Sequence, residues 1–304
     1  MSTIDSTLKF IALLAAGPFM QATFEKNIAI VCNPLAGAGR AVFLAEKIVG
    51  ELSKQIISHT LFNESWPNTL ENFTDVFIVG GDGTLNYFIN QYPGIELPLV
   101  IFNGGTGNDF HWLLYGNKTF DEQFQTALNT NTKPIDMGRC NDRNFINGVG
   151  IGFEGGVAKA LTGKKKRPGK TSFLITILKK IFMYRSNNYC IKSGEGTLTG
   201  KKLLIDICNG KRAGGGFYIA PEAKADDGLF DIIIVDALGP LRRLQYLSLI
   251  EKGKHLNLPF VHHFHTGKII IESDKPAQYH LDGEYFEAQK LEIKILPDAL
   301  NFRF

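Results

Sequence analysis

Gly80-Gly81-Asp82-Gly83-Thr84 places one carboxylate inside a glycine-rich turn. Glycine lets backbone N–H groups face an anion with no side chain between them. Thr84 offers a hydroxyl to phosphate and a cap to a following helix. An acidic residue where a polyanion would sit needs a reason. Coordination of a nucleotide-bound Mg²⁺ supplies one, and polarisation of an acceptor hydroxyl supplies another. Asn103-Gly104-Gly105-Thr106-Gly107-Asn108-Asp109 repeats the composition, and Asn33-Pro34-Leu35-Ala36-Gly37-Ala38-Gly39-Arg40 makes a third such turn. Each has a bland reading as a plain strand-to-helix turn. Recurrence at three strand ends favours a nucleotide site instead.

Later residues carry further chemistry. Asp226-Asp227-Gly228-Leu229 follows Pro221-Glu222-Ala223-Lys224, and its side chains and free carbonyls suit a hard cation or simply a hairpin turn. Asp282-Gly283-Glu284 sits between alternating strands. Its two carboxylates could include a general base, or the segment is only a turn. His263 and His265 share one strand face, with His262 beside them. No acidic or cysteine partner lies near them in sequence, so a metal there is not expected. Gly163 to Thr171 is not a Walker A loop. Five residues separate Gly163 from Gly169 where that motif needs four, and no apolar strand precedes it. Lys164, Lys165, Lys166, Arg167 and Lys170 instead form a basic run beside apolar Ser172–Leu178. That suits an anionic membrane surface, or a solvated face over a core helix.

The elements that must position these residues change character along the chain. Strands are expected over Asn27–Cys32, Gln55–Phe62, Asp75–Val79 and Pro98–Phe102, and helices over Ala38–Ser53, Thr84–Gln91, Asp109–Tyr115 and Phe120–Leu128. Repeated β-α-β units imply a parallel sheet covered on both faces. After Pro134 short alternating strands with tight turns imply antiparallel sheet, with helices near Thr171–Met183 and Pro240–Lys252. The expected organisation is an extension over residues 1–25, an α/β domain over 26–134 and a β-rich domain over 135–298, with the tail 299–304 returning to the first domain.

The 304 residues suffice for two domains, and the 44% hydrophobic and 21% charged content is that of a globular protein. A net charge of +3 is too small to indicate nucleic acid. Cys32, Cys140, Cys190 and Cys208 form no Cys-x-x-Cys pair, which fits a reducing cytosol. Leu8 to Met20 is apolar but too short to span a bilayer. It reads as a membrane-surface anchor, as a packed helical extension, or as sequence upstream of a start at Met20.

Gly80 to Asn86, and Gly105-Thr106-Gly107-Asn108-Asp109-Phe110, resemble the diacylglycerol kinase catalytic-domain family, to which bacterial lipid kinases and the sphingosine and ceramide kinases belong. Asn33-Pro34 with Gly37 and Gly39, Asn147 to Gly152, Pro221-Glu222-Ala223 with Asp227-Gly228-Leu229, and Leu281-Asp282-Gly283-Glu284 extend the resemblance in order from Lys26 to the C-terminus. It implies an α/β nucleotide domain of NAD kinase/diacylglycerol kinase type, a C-terminal antiparallel β-sandwich for lipid, and ATP with Mg²⁺ between them. It implies nucleotide binding by Asn33, Pro34, Leu35, Ala36, Gly37, Thr60, Gly80, Gly81, Asp82, Gly83, Thr84, Leu85, Asn86 and Thr106. Lys224, Asp227 and Leu229 resemble a structural Mg²⁺ site. Glu284, with Asp282, matches the base of bacterial members, and Asp82 matches that of sphingosine kinases.

Two departures stand out. Asn103-Gly104 replaces the usual proline before Gly-Thr, and His111-Trp112 replaces Ala-Arg at positions that line the cleft in relatives. The resemblance further implies a cytoplasmic enzyme working peripherally on membrane lipid, without nucleic acid. A homodimer is the candidate assembly. The rival readings are a soluble-substrate kinase of the NAD kinase type and a non-catalytic ATP-binding regulator.

Overall fold

Apolar runs bounded by turn residues become a parallel sheet at the start of the chain. The structure, a computed structural model, describes residues 26–162 and 170–304. Strands β1 (Asn27–Cys32), β2 (Ser58–Phe62), β3 (Asp75–Gly80) and β4 (Leu99–Asn103) lie side by side in the order β2-β1-β3-β4, all parallel. Helices α1 (Arg40–Lys54), α2 (Asp82–Gln91), α3 (Asp109–Tyr115) and α4 (Phe120–Asn129) connect and cover them. Every residue of β3 is buried, as a strand covered on both faces requires. The chain runs from β1 to β2 on one side and then to β3 on the other. Strand order therefore reverses at the carboxyl ends of β1 and β3, where open α/β sheets bind ligands.

The remaining strands are β5 (Thr132–Cys140), β6 (Arg143–Phe145), β7 (Gly148–Gly152), β8 (Asn187–Ser193), β9 (Gly196–Cys208), β10 (Phe230–Asp236), β11 (Val261–Thr266), β12 (Lys268–Leu281) and β13 (Glu284–Arg303). They pair antiparallel with one another. Their inner faces enclose a second core that includes Phe145, Ile205, Phe230, Ile269 and Ile293. Behind β9 and β10 a third cluster packs Ile233 and Val235 against Tyr246 and Ile250 of α7 (Pro240–Ile250). Helices α5 (Phe153–Leu161) and α6 (Lys170–Met183) share a small cluster around Ile177 and Ile181. The buried Arg243 guanidinium donates to the Ile181 and Tyr184 carbonyls at 2.8 and 2.9 Å, satisfying the end of α6.

Strand β13 joins the halves. It pairs with β12 and β5, and Phe302 then meets Leu99 of β4 in parallel register. Phe302 is fully buried, 5.7 Å from the Phe110 ring, and Arg303 Nε lies 2.6 Å from Asp75 Oδ1.

Several elements differ from the sequence expectation. Helix α5 is not among the helices expected from the sequence, and it carries Gly155 and Gly156 in its interior. A Cβ on Gly155 would stand 2.1 Å from the Gln278 carbonyl oxygen, so glycine lets α5 lie directly on β12. Strands β12 and β13 are each continuous where shorter strands were expected, bridged across register shifts. Helix α2 starts at Asp82, so Thr84 lies in its first turn and does not cap it. Thr60 sits mid-strand in β2, opposite Ala29. The basic run Lys164–Arg167 and the stretch Leu8–Met20 lie outside the described residues. Among the described residues, no helix is long and apolar enough to cross a membrane.

Candidate active site at the domain junction

The three glycine turns follow β1, β3 and β4 and pack backbone on backbone. A Cβ on Gly37 would stand 2.2 Å from the Gly104 carbonyl oxygen, and one on Gly105 would stand 2.3 Å from the Gly81 Cα. Only glycine allows such approach. The Gly104 amide donates to the Gly80 carbonyl at 2.8 Å. Side chains fix the remainder. Asn33 Nδ2 donates to Thr84 Oγ1 at 3.1 Å, while its Oδ1 accepts from the Leu35 amide at 3.1 Å. Asn108 Oδ1 accepts from the Gly105 amide at 3.0 Å, and Nδ2 returns a bond to the Gly105 carbonyl at 2.9 Å.

Of the residues implied as nucleotide ligands, Pro34, Leu35, Gly83 and Thr106 are exposed at the rim, and Ala36 and Gly37 are half-buried beside them. Leu85 is fully buried in the core and its amide donates to the Gly81 carbonyl, so neither its side chain nor its N–H is available to a ligand. Thr60 is exposed on β2.

Asp82 is held at the start of α3. Its Oδ2 and Oδ1 accept from the Asp109 and Phe110 amides, both at 3.0 Å. A carboxylate at a helix N-terminus is favoured. Burial nevertheless pushes its pKa up to about 6, with the negative charges of Asp109 and Asp282 adding to the effect. Asp109 accepts from the Gly215 amide at 2.7 Å and faces Arg212 at 3.4 Å. The Arg212 guanidinium lies 4.2 Å from the Trp112 ring centroid, which brings a β-rich-domain loop over the third turn. Arg212 and Gly215 were not legible in the sequence, for they lie more than 100 positions from Asp109. His111 does not line the cleft. It is buried against α4, with Nε2 3.1 Å from Gln123 Oε1, and burial lowers its pKa.

The hairpin between β12 and β13 turns on Asp282 and Gly283, both at positive φ, as a two-residue primed turn requires. The Asp282 carboxylate accepts four bonds: from the amides of Ile146, Asn147 and Gly148 at 2.8–2.9 Å, and from Asn86 Nδ2 at 2.8 Å. Burial raises its pKa and these donors oppose the rise. Asn86 also reaches the Asn144 carbonyl at 3.3 Å, so its amide joins the domains and is not free for nucleotide. Glu284, one residue beyond the turn, is exposed. Asp82 and Asp282 come together at the junction, with Glu284 beside Asp282.

Lys224, Asp227 and Leu229 lie on the turn before β10, all exposed. Asp227 Oδ1 accepts from the Leu229 amide at 3.1 Å, and the Gly228 amide donates to Asp136 Oδ2 at 2.7 Å. Asp136, buried on β5, also accepts from the Asp298 amide at 2.9 Å and anchors the turn. A carboxylate and carbonyls on an anchored turn form an all-oxygen set that fits a hard cation such as Mg²⁺.

Residues 27–140 match the diacylglycerol kinase catalytic domain, and residues 147–303 match the YegS C-terminal NAD kinase beta sandwich-like domain. The chain belongs to the diacylglycerol kinase catalytic-domain family, in the form that carries the YegS C-terminal domain. It is similar to a "Probable lipid kinase YegS-like" of Shewanella frigidimarina, with 31% identity over 76% of this chain and 77% of that one. It is also similar to a diacylglycerol kinase of Mycobacterium tuberculosis, with 25% identity over 95% of this chain and 98% of that one. A crystal structure of a diacylglycerol kinase from Bacillus anthracis superposes with a TM-score of 0.73 and 23% identity, covering 93% of this chain and 98% of that one. That last likeness bears on the fold alone.

Proposed function

We propose that this chain is an ATP- and Mg²⁺-dependent lipid kinase that transfers the γ-phosphate of ATP to a lipid hydroxyl, with diacylglycerol as the first acceptor. The observation that carries this reading is the interlocked set of glycine turns, facing carboxylates from the second domain. The exposed rim at Pro34, Leu35, Gly83 and Thr106 receives the nucleotide phosphates, with the Gly83 and Thr106 N–H groups as donors, since Pro34 has none and the Leu35 amide is bonded to Asn33 Oδ1. Bound Mg²⁺ supplies neutralisation of phosphate charge. Lys224, Asp227 and Leu229 would hold a structural Mg²⁺, Leu229 through its carbonyl.

The three carboxylates have different freedom to take a proton. Asp282 is saturated by four donors, so it positions the hairpin. Both Asp82 oxygens accept backbone N–H groups. Glu284 is exposed at the tip, and we assign it as the base that accepts the lipid hydroxyl proton during in-line attack.

The acyl chains must leave a bilayer, so the enzyme works at a membrane surface. Leu174, Ile175, Leu178, Phe182 and Met183 are exposed along α6, with exposed Lys179 among them. An apolar stripe carrying a cation suits an anionic interface. The test is transfer from labelled ATP·Mg²⁺ to diacylglycerol, monoacylglycerol, ceramide or sphingosine in mixed micelles, with NAD⁺ as the soluble acceptor. A labelled lipid supports the reading. Label on NAD⁺ alone, or none from protein that binds ATP, overturns it.

A further inference from the structure

Strands β10 and β11 form the far edge of the sheet, and their register brings together residues that sequence distance separates. Asp231 lies opposite His265, and Ile233 opposite His263. Residues two apart share a face, so His263, His265 and Asp231 project to the same side. The Asp231 carboxylate is buried, at 3% side-chain exposure. Its Oδ1 lies 3.0 Å from His263 Nε2 and 3.4 Å from His265 Nε2. The ligand atoms of all three residues lie within 4.8 Å of one another. The expectation of no metal at these histidines rested on the lack of a nearby acidic residue in sequence. Strand pairing supplies one from 32 positions away.

We propose that Asp231, His263 and His265 form a binding site for a borderline transition metal of the Zn²⁺ class. Zinc bonds to nitrogen and oxygen are about 2.0–2.2 Å, so tetrahedral ligand atoms stand about 3.3–3.5 Å apart. The His265 separation of 3.4 Å falls in that range, and the His263 separation of 3.0 Å lies just below it. Two imidazole nitrogens and one carboxylate oxygen select Zn²⁺, Co²⁺ or Ni²⁺ over Mg²⁺. Two residues earlier in the chain, the turn at Asp227–Leu229 offers only oxygen, so the two sites sort metals by chemistry. His265 is 43% exposed, which gives the metal a path and leaves a fourth position to water. His262 faces the other way and pairs with Asp236 at 3.2 Å.

The experiment uses the full chain without an affinity tag, in excess Mg²⁺, titrated with Co²⁺ and followed by visible spectroscopy. Ligand-field bands should saturate at one Co²⁺ per chain and vanish when one equivalent of Zn²⁺ is added. His265→Gln, at an exposed edge position, should weaken binding by at least the roughly 10–100-fold that loss of even an outer-shell partner costs. His262→Ala should leave the affinity unchanged, and Zn²⁺ should raise the Tm of the wild type but not of His265→Gln. Absence of the bands, or equal affinity in His265→Gln, overturns the proposal and leaves a metal-free ion-paired cluster.

Discussion

On the parallel-sheet side of the junction backbone touches backbone. Gly37 meets Gly104, and Gly81 meets Gly105, at distances that leave no room for a Cβ. On the β-rich side, one side chain does the equivalent work. Asp282 collects three backbone amides and Asn86, so a two-residue turn is as firmly held as the glycine loops. The first arrangement ties up the Gly104 and Gly105 amides within the turns, leaves the Gly83 and Thr106 amides to face phosphate, and fixes them through shape. The second leaves a neighbouring carboxylate, Glu284, free in solvent and fixes it through hydrogen bonds. A phosphoryl-transfer site needs both properties, donors for the phosphate and a positioned acceptor for a proton.

Substitution within the glycine turns should show the largest effect. Gly105→Ala forces a Cβ against backbone and should cost about 2–4 kcal/mol of stability, with loss of transfer activity. Gly83→Ala meets nothing within 4 Å and should keep the wild-type Tm while raising the KM for ATP. Equal Tm in the two variants would break the packing half of the comparison.

Asp282→Ala should come next. It strands three backbone donors, which should cost about 2–3 kcal/mol, a lowering of Tm by roughly 4–12 °C. An unchanged Tm in thermal unfolding would show that the hairpin is held by its strands alone.

The pH response sharpens the comparison through Asp82. Its folded pKa is raised from 3.8 to about 6. The folded state therefore binds this proton more tightly than the unfolded chain does. Relative to Asp82→Asn, wild-type stability should fall as pH rises from about 4 to about 6. Because the charged carboxylate holds the Asp109 and Phe110 amides of the third turn, turnover should instead rise through about pH 6, and Asp82→Asn should lose that limb. An identical pH–rate profile in the variant would show that the Asp82 charge does not position this turn.

The smallest effect should fall on Asp206, a buried β9 carboxyl in register with Gly150. Burial and the nearby Glu154 charge raise its pKa well above the usual carboxylate range, which favours the protonated form. Asp206→Asn mimics that form in shape and charge and should change stability by less than about 1 kcal/mol. A fall in Tm beyond about 10 °C would show that it is ionised and paired.

The sequence was most legible where structure is local. Each glycine turn follows its own strand, so the local sequence located the three loops, while the strand order that makes their meeting place a switch point came from the fold. The hairpin was visible for the same reason, because Asp282-Gly283 suits only a primed turn. Hydrogen-bond partners brought by folding were not visible. The Asp282 donors lie 134 to 196 positions away, and Arg212 reaches Asp109 from another domain. Helix α5 was hidden because Gly155 and Gly156 answer to the backbone of β12, not to helix propensity. Leu85 and His111 sit in motif strings, yet their side chains serve the core.

The most direct test of the site is single-turnover transfer from ATP·Mg²⁺ to diacylglycerol by wild type and Glu284→Gln, with ATP affinity measured on the same samples. The expected result is a rate lower by about 10²–10⁴-fold with ATP affinity unchanged. Wild-type transfer by Glu284→Gln would contradict the assignment of the hairpin as the source of the base.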